Sequence, residues 1–323
     1  MTTLAQPDLR DSFIALELSP NYLVSKPIAL LAQVETCMLN ALQNAPRLHV
    51  TGSHTLEEAA LYHLRCGGQR LRARLALDAA QAVGLTDHDS VHIAAAVELL
   101  HNASLIHDDL QDGDQFRRGR EAVWSKFSKN LAICCGDFYL STAYATLSQL
   151  SQHSALPKLF QRMHQGIAEA VFGQCADLTI SADQLGLTTY IAIVMAKSGA
   201  LLSLPLELVF MLNGRDHFVD LAKSACKDFA IGFQIIDDLR DVAGDISAAG
   251  RLSSGEQRLN IVSVFTRLQQ TSPHAIDPVT AARDLALDHL QKAQSTSAIL
   301  PAGSGHLLEE CCLNLRSQLN ELI

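Results

Sequence analysis

The amino-acid sequence predicts an all-α fold. Apolar residues recur at three- and four-residue spacing in long segments such as 28–42, 91–109 and 138–150, which is the pattern of amphipathic helices. The sequence contains no convincing alternating strands with hairpin-turn signals. Gly, Ser, Pro and Asp gather in four places, which predicts loops at residues 88–90, 245–255, 272–278 and 296–305.

The organisation of the chain favours one domain. No composition shift marks a linker, and no internal repeat is evident. We therefore expect a single domain over residues 1–323, in which residues 1–25 form an N-terminal extension. The chain is 48% apolar, which is enough for a large core.

Charge and hydropathy exclude two classes of partner. Lys and Arg total 25 against 34 for Asp and Glu, and the net charge is −9. An acidic chain without a basic block is a poor nucleic-acid binder. No uninterrupted apolar stretch approaches 18 residues, because Ser203, Pro205 and Glu207 break the most apolar run. We expect no nucleic-acid partner and no membrane span.

The cysteines predict a reducing compartment. Two of the pairs are adjacent in sequence, no CxxC pair occurs, and no spacing suits zinc. The N-terminal sequence lacks a signal pattern, so we expect reduced thiols and a cytoplasmic protein. The cysteines are residues 37, 66, 134, 135, 175, 226, 311 and 312.

Two aspartate clusters of the same form carry the strongest functional signal. Asp108–Asp112 reads DDLQD and Asp237–Asp241 reads DDLRD, and each follows an apolar run of helical pattern. On a helix, residues i and i+4 share a face, so the first and last carboxylates of each cluster point the same way. Neighbouring carboxylates beside a core need cations, and Mg²⁺ held by carboxylates usually shares its shell with phosphate oxygens. The alternative is a solvated acidic helix face.

Separate basic groups accompany the clusters. Arg117 and Arg118 follow the first cluster, Gly67–Arg72 reads GGQRLR, and Lys197 is a lone lysine in an apolar segment. A glycine pair before a helix lets backbone N–H groups approach an anion, and arginine fits phosphate bidentately. The alternatives are a solvated arginine pair and a lysine that extends from a helix end to water. Taken with the clusters, these groups indicate a substrate with more than one phosphate, or two phosphorylated substrates.

The ordered set of motifs resembles the trans-isoprenyl diphosphate synthases, the polyprenyl synthetase family. The resemblance runs from about residue 67 to about residue 260. The motifs are GGQRLR (67–72), ELLHNASLIHDDLQDGDQFRRGR (98–120), GDFYLS (136–141), GQCADL (173–178), Lys197-Ser198 and FQIIDDLRDVAGD (233–245).

This resemblance implies an isoprenoid synthase fold around a deep central cavity, a homodimer, and several Mg²⁺ ions that bridge to an allylic prenyl diphosphate. The implied metal residues are Asp108, Asp109, Asp112, Asp237, Asp238 and Asp241. The implied catalytic residues are Asp108, Asp112, Asp237, Lys197 and Arg117. The implied substrate-binding residues are Gln69, Arg70, Arg72, His101, Arg117, Arg118, Lys197, Ser198 and Gln234. Of these, Arg72, Arg118 and His101 correspond to groups that hold isopentenyl diphosphate.

The implied reaction is the ionisation of the allylic diphosphate and attack on the cation by isopentenyl diphosphate. Ala103 and Ser104, one turn before Asp108, are small where bulky aromatics would stop growth, so we expect a product of C20 or longer. Leu100 and the pair Phe138–Tyr139 are candidates for a lower floor of the cavity.

Departures from the family pattern leave alternatives open. Gln69 replaces the usual lysine, Ala73 a proline and Arg258 a lysine, while Arg240 adds a positive charge that we expect to point to solvent. The neutral Gln69 favours a terpene cyclase, or transfer of the prenyl group to another acceptor. Arg72, His101 and Arg118 favour elongation. A non-catalytic partner subunit is the third alternative, and two complete aspartate clusters argue against it.

Overall fold

The structure, a computed structural model, describes residues 26–45, 55–181, 184–247, 260–271 and 276–321. These residues are almost entirely helical, which confirms the predicted all-α class. They form two compact units that meet in sequence between Phe160 and Gln161. The expected N-terminal extension, most of the predicted loop at 245–255, part of the loop at 272–278 and Arg258 lie outside the described residues. A single domain over residues 1–323 stays a prediction.

The first unit is built around the long helix α4, which packs against α6, α3 and α1. Its core is aliphatic and includes Val34, Met38, Ile93 and Leu99, all fully buried. Its helices are α1 (Lys26–Gln43), α2 (Leu56–Leu64), α3 (Leu71–Ala82), α4 (Asp87–Asp112), α5 (Val123–Lys126), α6 (Lys129–Leu147) and the start of α7 (Leu156–Thr179). A two-residue hairpin, β1 (Phe116–Arg117) and β2 (Arg120–Glu121), follows α4.

The loop predicted at residues 88–90 is wrong, because these residues form the first turn of α4. Thr86 caps the helix, since its side chain accepts a hydrogen bond from the Asp89 N–H. The Asp89 carboxylate is buried and accepts the Ser151 N–H at 2.8 Å. Acidic residues next to an N-cap stabilise a helix start, so the same residue types that mark loops begin a helix here.

The second unit packs α10 against α12 and α9. Its elements are α7 from Gln161 onward, α8 (Leu187–Val194), a π-helical turn (Met195–Gly199), α9 (Ala200–Leu212), α10 (Val219–Ser247), α11 (Ile261–Thr271), α12 (Pro278–Ala298) and α13 (His306–Glu321). A short 3₁₀ turn at Pro301–Gly303 joins α12 to α13, so only the second part of the loop predicted at 296–305 is non-α.

The stretch Leu187–Leu212 is long and apolar enough to cross a membrane by length and composition alone. In the structure, however, 78% of its most apolar window is buried inside the protein. Its one acidic residue, Glu207, is fully buried and forms an ion pair with Arg162 of α7. The same burial is found in core helices of globular proteins, so this stretch gives only weak evidence for a span.

Candidate functional site

The first aspartate cluster occupies the last turn of α4. Gly113 follows it with φ 72, a conformation that ends the helix directly after Asp112. Asp108 is half-buried and Asp112 is exposed, and their spacing places both on one face. The last turn of a helix carries the negative end of its dipole, so two carboxylates here are unfavourable without a cation.

The second residue of this cluster has a protein partner. Asp109 is only 1% exposed, and its Oδ1 accepts a hydrogen bond from Nε of Arg117 at 2.6 Å. Burial raises the pKa of Asp109 to about 6, and the guanidinium of Arg117 partly offsets that rise. Asp109 thus fixes the hairpin strand β1 to the end of α4.

The two basic motifs of the first unit touch each other. The turn of the hairpin places Arg118 at φ 52, and its Nη1 donates to the carbonyl of Gly67. A Cβ on Gly68 would lie 2.6 Å from Cζ of Arg118, so a larger residue there would displace the guanidinium. The fold therefore unites GGQRLR with RRGR, although 51 residues separate Gly67 from Arg118.

Arg70, expected to bind substrate, is an internal anchor in this structure. It is only 5% exposed, and its guanidinium lies 3.6 Å from the buried carboxylate of Glu98. Its Nη2 also donates to the carbonyl of Leu64 at 3.2 Å. The Ala73 N–H donates to the same Glu98 at 3.2 Å, which a proline at that position would prevent. The geometry favours a role for Arg70 in holding the loop before α3.

Two histidines in the first unit are held neutral. Burial and the neighbouring Arg72 and Arg118 lower the pKa of His101 well below its usual value. Burial, Arg118 and Arg117 lower the pKa of His63 to about 3. Arginines close enough to act on one imidazole form a positive cluster, and a neutral His101 adds a hydrogen bond without further repulsion. The cluster formed by Arg72, Arg117, Arg118 and His101 suits a multiply charged anion.

The second aspartate cluster lies on α10, and its middle residue again serves the fold. Asp238 is only 3% exposed. Its carboxylate accepts hydrogen bonds from the Tyr190 hydroxyl at 2.8 Å, Gln234 Nε2 at 3.0 Å and the Ile261 N–H at 2.8 Å. Burial raises the pKa of Asp238 to about 7, and these hydrogen bonds oppose the rise. Asp238 joins α8, α10 and α11, and it fixes the amide of Gln234.

The outer carboxylates of α10 repel each other. Asp237 and Asp241 both have exposed surface. Desolvation, followed by the negative charge of Asp241, raises the pKa of Asp237 to about 6. Arg240 does not point freely to solvent as expected, because its Nη2 donates to Gln318 Oε1 of α13 at 3.0 Å.

Lys197 lies within the π-helical turn rather than at a helix end, and Ser198 follows it there. Its ammonium is 2.7 Å from Oδ2 of Asp177 on α7. The sequence did not predict the roles of Asp177, Glu98 and Tyr190. Asp177 lies in the GQCADL motif, which was its only sequence signal.

The donor chemistry of the clusters fits magnesium. Asp108 with Asp112 and Asp237 with Asp241 are oxygen-only pairs, each with carboxylates on one helix face. Among the described residues, no three His, Cys, Asp or Glu side chains gather to hold a metal unaided. Mg²⁺ is commonly bound by one or two carboxylates while waters and substrate phosphates complete its shell. The pairs match that mode better than a closed metal cage.

Comparison with known sequences gives a consistent result. The family model for polyprenyl synthetase matches residues 53–276. The geranylgeranyl pyrophosphate synthase of Geoglobus acetivorans is 33% identical over 192 residues, 58% of this chain, which spans only 60% of that enzyme. The geranylgeranyl diphosphate synthase of Mycobacterium tuberculosis is 27% identical, with 76% of this chain and 71% of that enzyme covered. The farnesyl diphosphate synthase of Geobacillus stearothermophilus is 29% identical, with 75% of this chain and 82% of that enzyme covered.

Solved structures share the fold. A decaprenyl diphosphate synthase from Rhodobacter capsulatus aligns with a TM-score of 0.77 and 20% identity, and 93% of this chain and 99% of that chain are covered. A polyprenyl synthase from Caulobacter crescentus, complexed with calcium and isoprenyl diphosphate, gives a TM-score of 0.75 at 22% identity over 92% and 98% of the chains. The family model spans well over half of the sequence and includes both aspartate clusters. The chain therefore belongs to the polyprenyl synthetase family.

Proposed function

We propose that this protein is a prenyltransferase that condenses an allylic prenyl diphosphate with isopentenyl diphosphate to give a longer all-trans prenyl diphosphate. The observation that carries the proposal is the pairing of Asp108 and Asp112 on one face at the end of α4, next to the arginine cluster. Such a site matches a substrate that carries both a bound metal and a diphosphate. The relatives named geranylgeranyl and farnesyl diphosphate synthase support the same reaction class.

Several Mg²⁺ ions would be held by Asp108, Asp112, Asp237 and Asp241. Bound there, Mg²⁺ would neutralise the diphosphate and stabilise it as a leaving group. Asp109 and Asp238 would support the metal-binding residues indirectly. The carboxylate of Asp109 already binds Arg117, and the carboxylate of Asp238 already holds α8 and α11 to α10. The calcium and isoprenyl diphosphate in the Caulobacter crescentus structure support a metal and diphosphate at such a site.

Within the arginine cluster, Arg72, Arg118 and His101 would hold the diphosphate of isopentenyl diphosphate. Arg118 is fixed on the glycine pair, and His101 stays neutral beside it. A neutral imidazole can donate one hydrogen bond to a phosphate oxygen, while each guanidinium supplies charge and paired donors. Gln69, half-buried in the loop before Arg70, would add an amide donor without charge.

Arg117, Lys197 and Gln234 would hold the allylic diphosphate. The ammonium of Lys197 supplies a positive charge, and the amide of Gln234 is oriented by Asp238. None of these groups needs to act as a nucleophile, since the leaving group departs with the electrons of the C–O bond. The pyrophosphate that leaves is itself a base for the final proton.

A second candidate is ionisation of the same allylic diphosphate with a different acceptor, as in a terpene cyclase or another prenyl transferase. Gln69 is the observation that favours it. A charged hydrogen bond contributes about 1.5–3 kcal/mol against about 1 kcal/mol for a neutral one, so the loss of a lysine here weakens one contact to isopentenyl diphosphate. The arginine cluster favours elongation, because a cyclase has no second diphosphate to bind.

We propose a product of C20 or longer. Ala103 is buried and Ser104 is half-buried on α4, and both are small, which supports a wall without an aromatic stop. Leu100 is also buried on α4 and stays a candidate for the cavity floor. Phe138 lines a groove of about 1540 Å³ between α1, α4 and α6. Tyr139 is fully buried and donates to the Ala60 carbonyl, so it belongs to the core rather than to a cavity floor.

The experiment that tests the function offers C10, C15 and C20 allylic diphosphates with Mg²⁺, with and without isopentenyl diphosphate. Longer diphosphates formed only with isopentenyl diphosphate would support elongation, and their length would test the C20 proposal. A hydrocarbon or alcohol formed without it would favour the second candidate. No conversion of any allylic diphosphate would contradict both.

We also propose a homodimer in the cytoplasm. The family resemblance supports the homodimer, and eight free cysteines agree with a reducing compartment. Light scattering should give twice the 35.0 kDa chain mass. A monomer mass over the full concentration range would contradict the dimer.

A further inference from the structure

Lys197 is presented by an irregular piece of helix. The residues Met195–Gly199 form a π-helical turn between α8 and α9, and Lys197 is its central residue. A π-helical turn widens the backbone, and such turns occur frequently at functional sites.

The helix α7 packs its backbone directly against this turn. A Cβ on Gly173 would lie 2.5 Å from the backbone nitrogen of Lys197 and 2.8 Å from Cβ of Ala196. The obstructing atoms include main-chain atoms of Ala196 and Lys197, which cannot move as easily as the end of a side chain can. Glycine at 173 is therefore what allows α7 to approach Lys197 so closely.

The same face of α7 also holds the lysine head group. Asp177 follows Gly173 by one turn, and its Oδ2 lies 2.7 Å from Nζ of Lys197. The side chain of Lys197 is 27% exposed, and that of Asp177 is 18% exposed. The pair is thus partly shielded from water, where an ion pair fixes geometry better than it does on an open surface.

The last residue of the turn packs closely as well. A Cβ on Gly199 would lie 3.0 Å from Cγ of Lys227 on α10. Close contacts with α7 and α10 hold the backbone of the turn, so the main freedom left is in the Lys197 side chain. Asp177 is a partner that restrains this freedom.

We propose that Asp177 is a positioning residue that holds the Lys197 ammonium in place for the diphosphate of the allylic substrate. This inference rests on the proposed function, because it concerns the same diphosphate. An ammonium has three N–H donors, so Lys197 can keep Asp177 and donate to a phosphate oxygen at the same time. Fixing the side chain beforehand removes rotamer entropy that binding would otherwise cost.

Two other roles for Asp177 predict different results. A purely structural ion pair would affect thermal stability and leave the affinity for diphosphate unchanged in the folded variants. An Asp177 that competes with substrate for Lys197 would weaken binding, so its removal would tighten binding. A positioning role predicts weaker binding when Asp177 is removed, and only while Lys197 is present.

The test is a double-mutant cycle of Asp177→Ala and Lys197→Ala in the full chain. Binding of inorganic pyrophosphate with Mg²⁺ is measured by titration calorimetry, and thermal unfolding checks that each variant folds. We expect Asp177→Ala to weaken binding by about tenfold, the loss of one well-placed charged hydrogen bond. The double variant should bind no more weakly than Lys197→Ala alone.

Two further variants make the result specific. Asp177→Asn keeps an acceptor oxygen for the Lys197 ammonium, so it should recover most of the affinity for pyrophosphate that Asp177→Ala loses. If only the negative charge of Asp177 mattered, Asp177→Asn would bind as weakly as Asp177→Ala. Asp284→Ala removes the carboxylate of an exposed aspartate on α12 and should bind like the parent.

Parent-like or tighter binding by Asp177→Ala would overturn the inference, and so would single losses that simply add in the double variant. If the parent protein binds no pyrophosphate with Mg²⁺, the proposed function fails as well. The inference can therefore fail alone, in a protein that binds pyrophosphate normally.

Discussion

The guanidinium of Arg118 lies against the Cα of Gly68, so that a Cβ there would be 2.6 Å from Cζ of Arg118. Gly68 also has φ 129, a conformation that L-residues rarely adopt. The contact joins the loop before α3 to the hairpin after α4. The proposed binding of isopentenyl diphosphate by Arg118 thus depends on the absence of a side chain at residue 68.

Gly68→Ala should therefore displace Arg118 and raise the KM for isopentenyl diphosphate more than it lowers kcat. The matched control is Gly67→Ala, because Gly67 also has positive φ while a Cβ there meets no atom within 4 Å. Both variants carry backbone strain of about 1–3 kcal/mol, but only the Cβ of Gly68→Ala clashes with the Arg118 guanidinium. Steady-state kinetics with varied isopentenyl diphosphate checks this, and an equal rise in KM for both variants would contradict it.

Asp108→Ala and Asp109→Ala should separate metal binding from folding. Asp108 shares the proposed metal-binding face of α4 with Asp112, so its removal should abolish Mg²⁺-dependent turnover. Without Mg²⁺ the free energy of unfolding should hold steady or rise slightly, because a negative charge leaves the helix C-terminus.

Asp109→Ala should instead lower the free energy of unfolding by about 3–5 kcal/mol, since it leaves Arg117 beside a buried position without its carboxylate partner. Asp109→Asn keeps the shape and should lose less. Denaturant unfolding without metal measures both. If Asp108→Ala destabilised the protein as much as Asp109→Ala, the division of roles would be wrong.

Gln69→Lys should lower the KM for isopentenyl diphosphate by about tenfold, since a charged donor replaces a neutral one. The control is Gln152→Lys, which adds the same charge to an exposed residue beyond α6 and outside the groove that Phe138 lines. Kinetics with a fixed allylic diphosphate and varied isopentenyl diphosphate distinguishes the two. An unchanged KM in Gln69→Lys would place residue 69 outside that binding site or would favour a different acceptor.

Buried His63 makes stability depend on pH. Burial, Arg118 and Arg117 lower its folded-state pKa from 6.5 to about 3, so the unfolded chain binds a proton first as the pH falls. The free energy of unfolding should therefore decrease below about pH 6.5, by up to about 1.4 kcal/mol per pH unit for this group. Above that pH the histidine is neutral in both states and contributes no slope.

Denaturant unfolding between pH 7.5 and 5 measures this dependence. His63→Gln should show a shallower slope than the parent, whatever its stability at pH 7.5. Neutral His101 acts in the same direction, so part of the slope should remain. Identical slopes in parent and variant would mean that His63 takes up its proton in the folded state as well.

Local sequence rules predicted the helical class and the shared face of Asp108 and Asp112, because both depend only on spacing along one helix. They did not predict that Arg70 would be buried, since its partner Glu98 lies 28 residues away on another helix. Arg240 was expected to point to solvent and instead contacts Gln318, 78 residues away. Contacts between distant segments decide which member of a charged motif is held inside the fold and which one stays accessible.

The spacing of apolar residues does not predict the π-helical turn at Met195–Gly199. A substitution of Gly173, which packs against this turn, tests its role. Gly173→Ala would place a Cβ 2.5 Å from the Lys197 backbone nitrogen, so α7 must move away from the turn. Overpacking of this kind costs about 1–3 kcal/mol, which lowers the melting temperature by a few degrees. Gly186→Ala is the matched control, because a Cβ there meets no atom within 4 Å.

Movement of α7 would also carry Asp177 away from Lys197, so Gly173→Ala should weaken binding of pyrophosphate with Mg²⁺ although residue 173 itself carries no polar side chain. Thermal unfolding and calorimetry on the same samples measure the two effects. Gly186→Ala should change neither. A Gly173→Ala protein that melts and binds like the parent would mean that close packing of α7 does not hold Lys197, and that the ion pair alone sets its position.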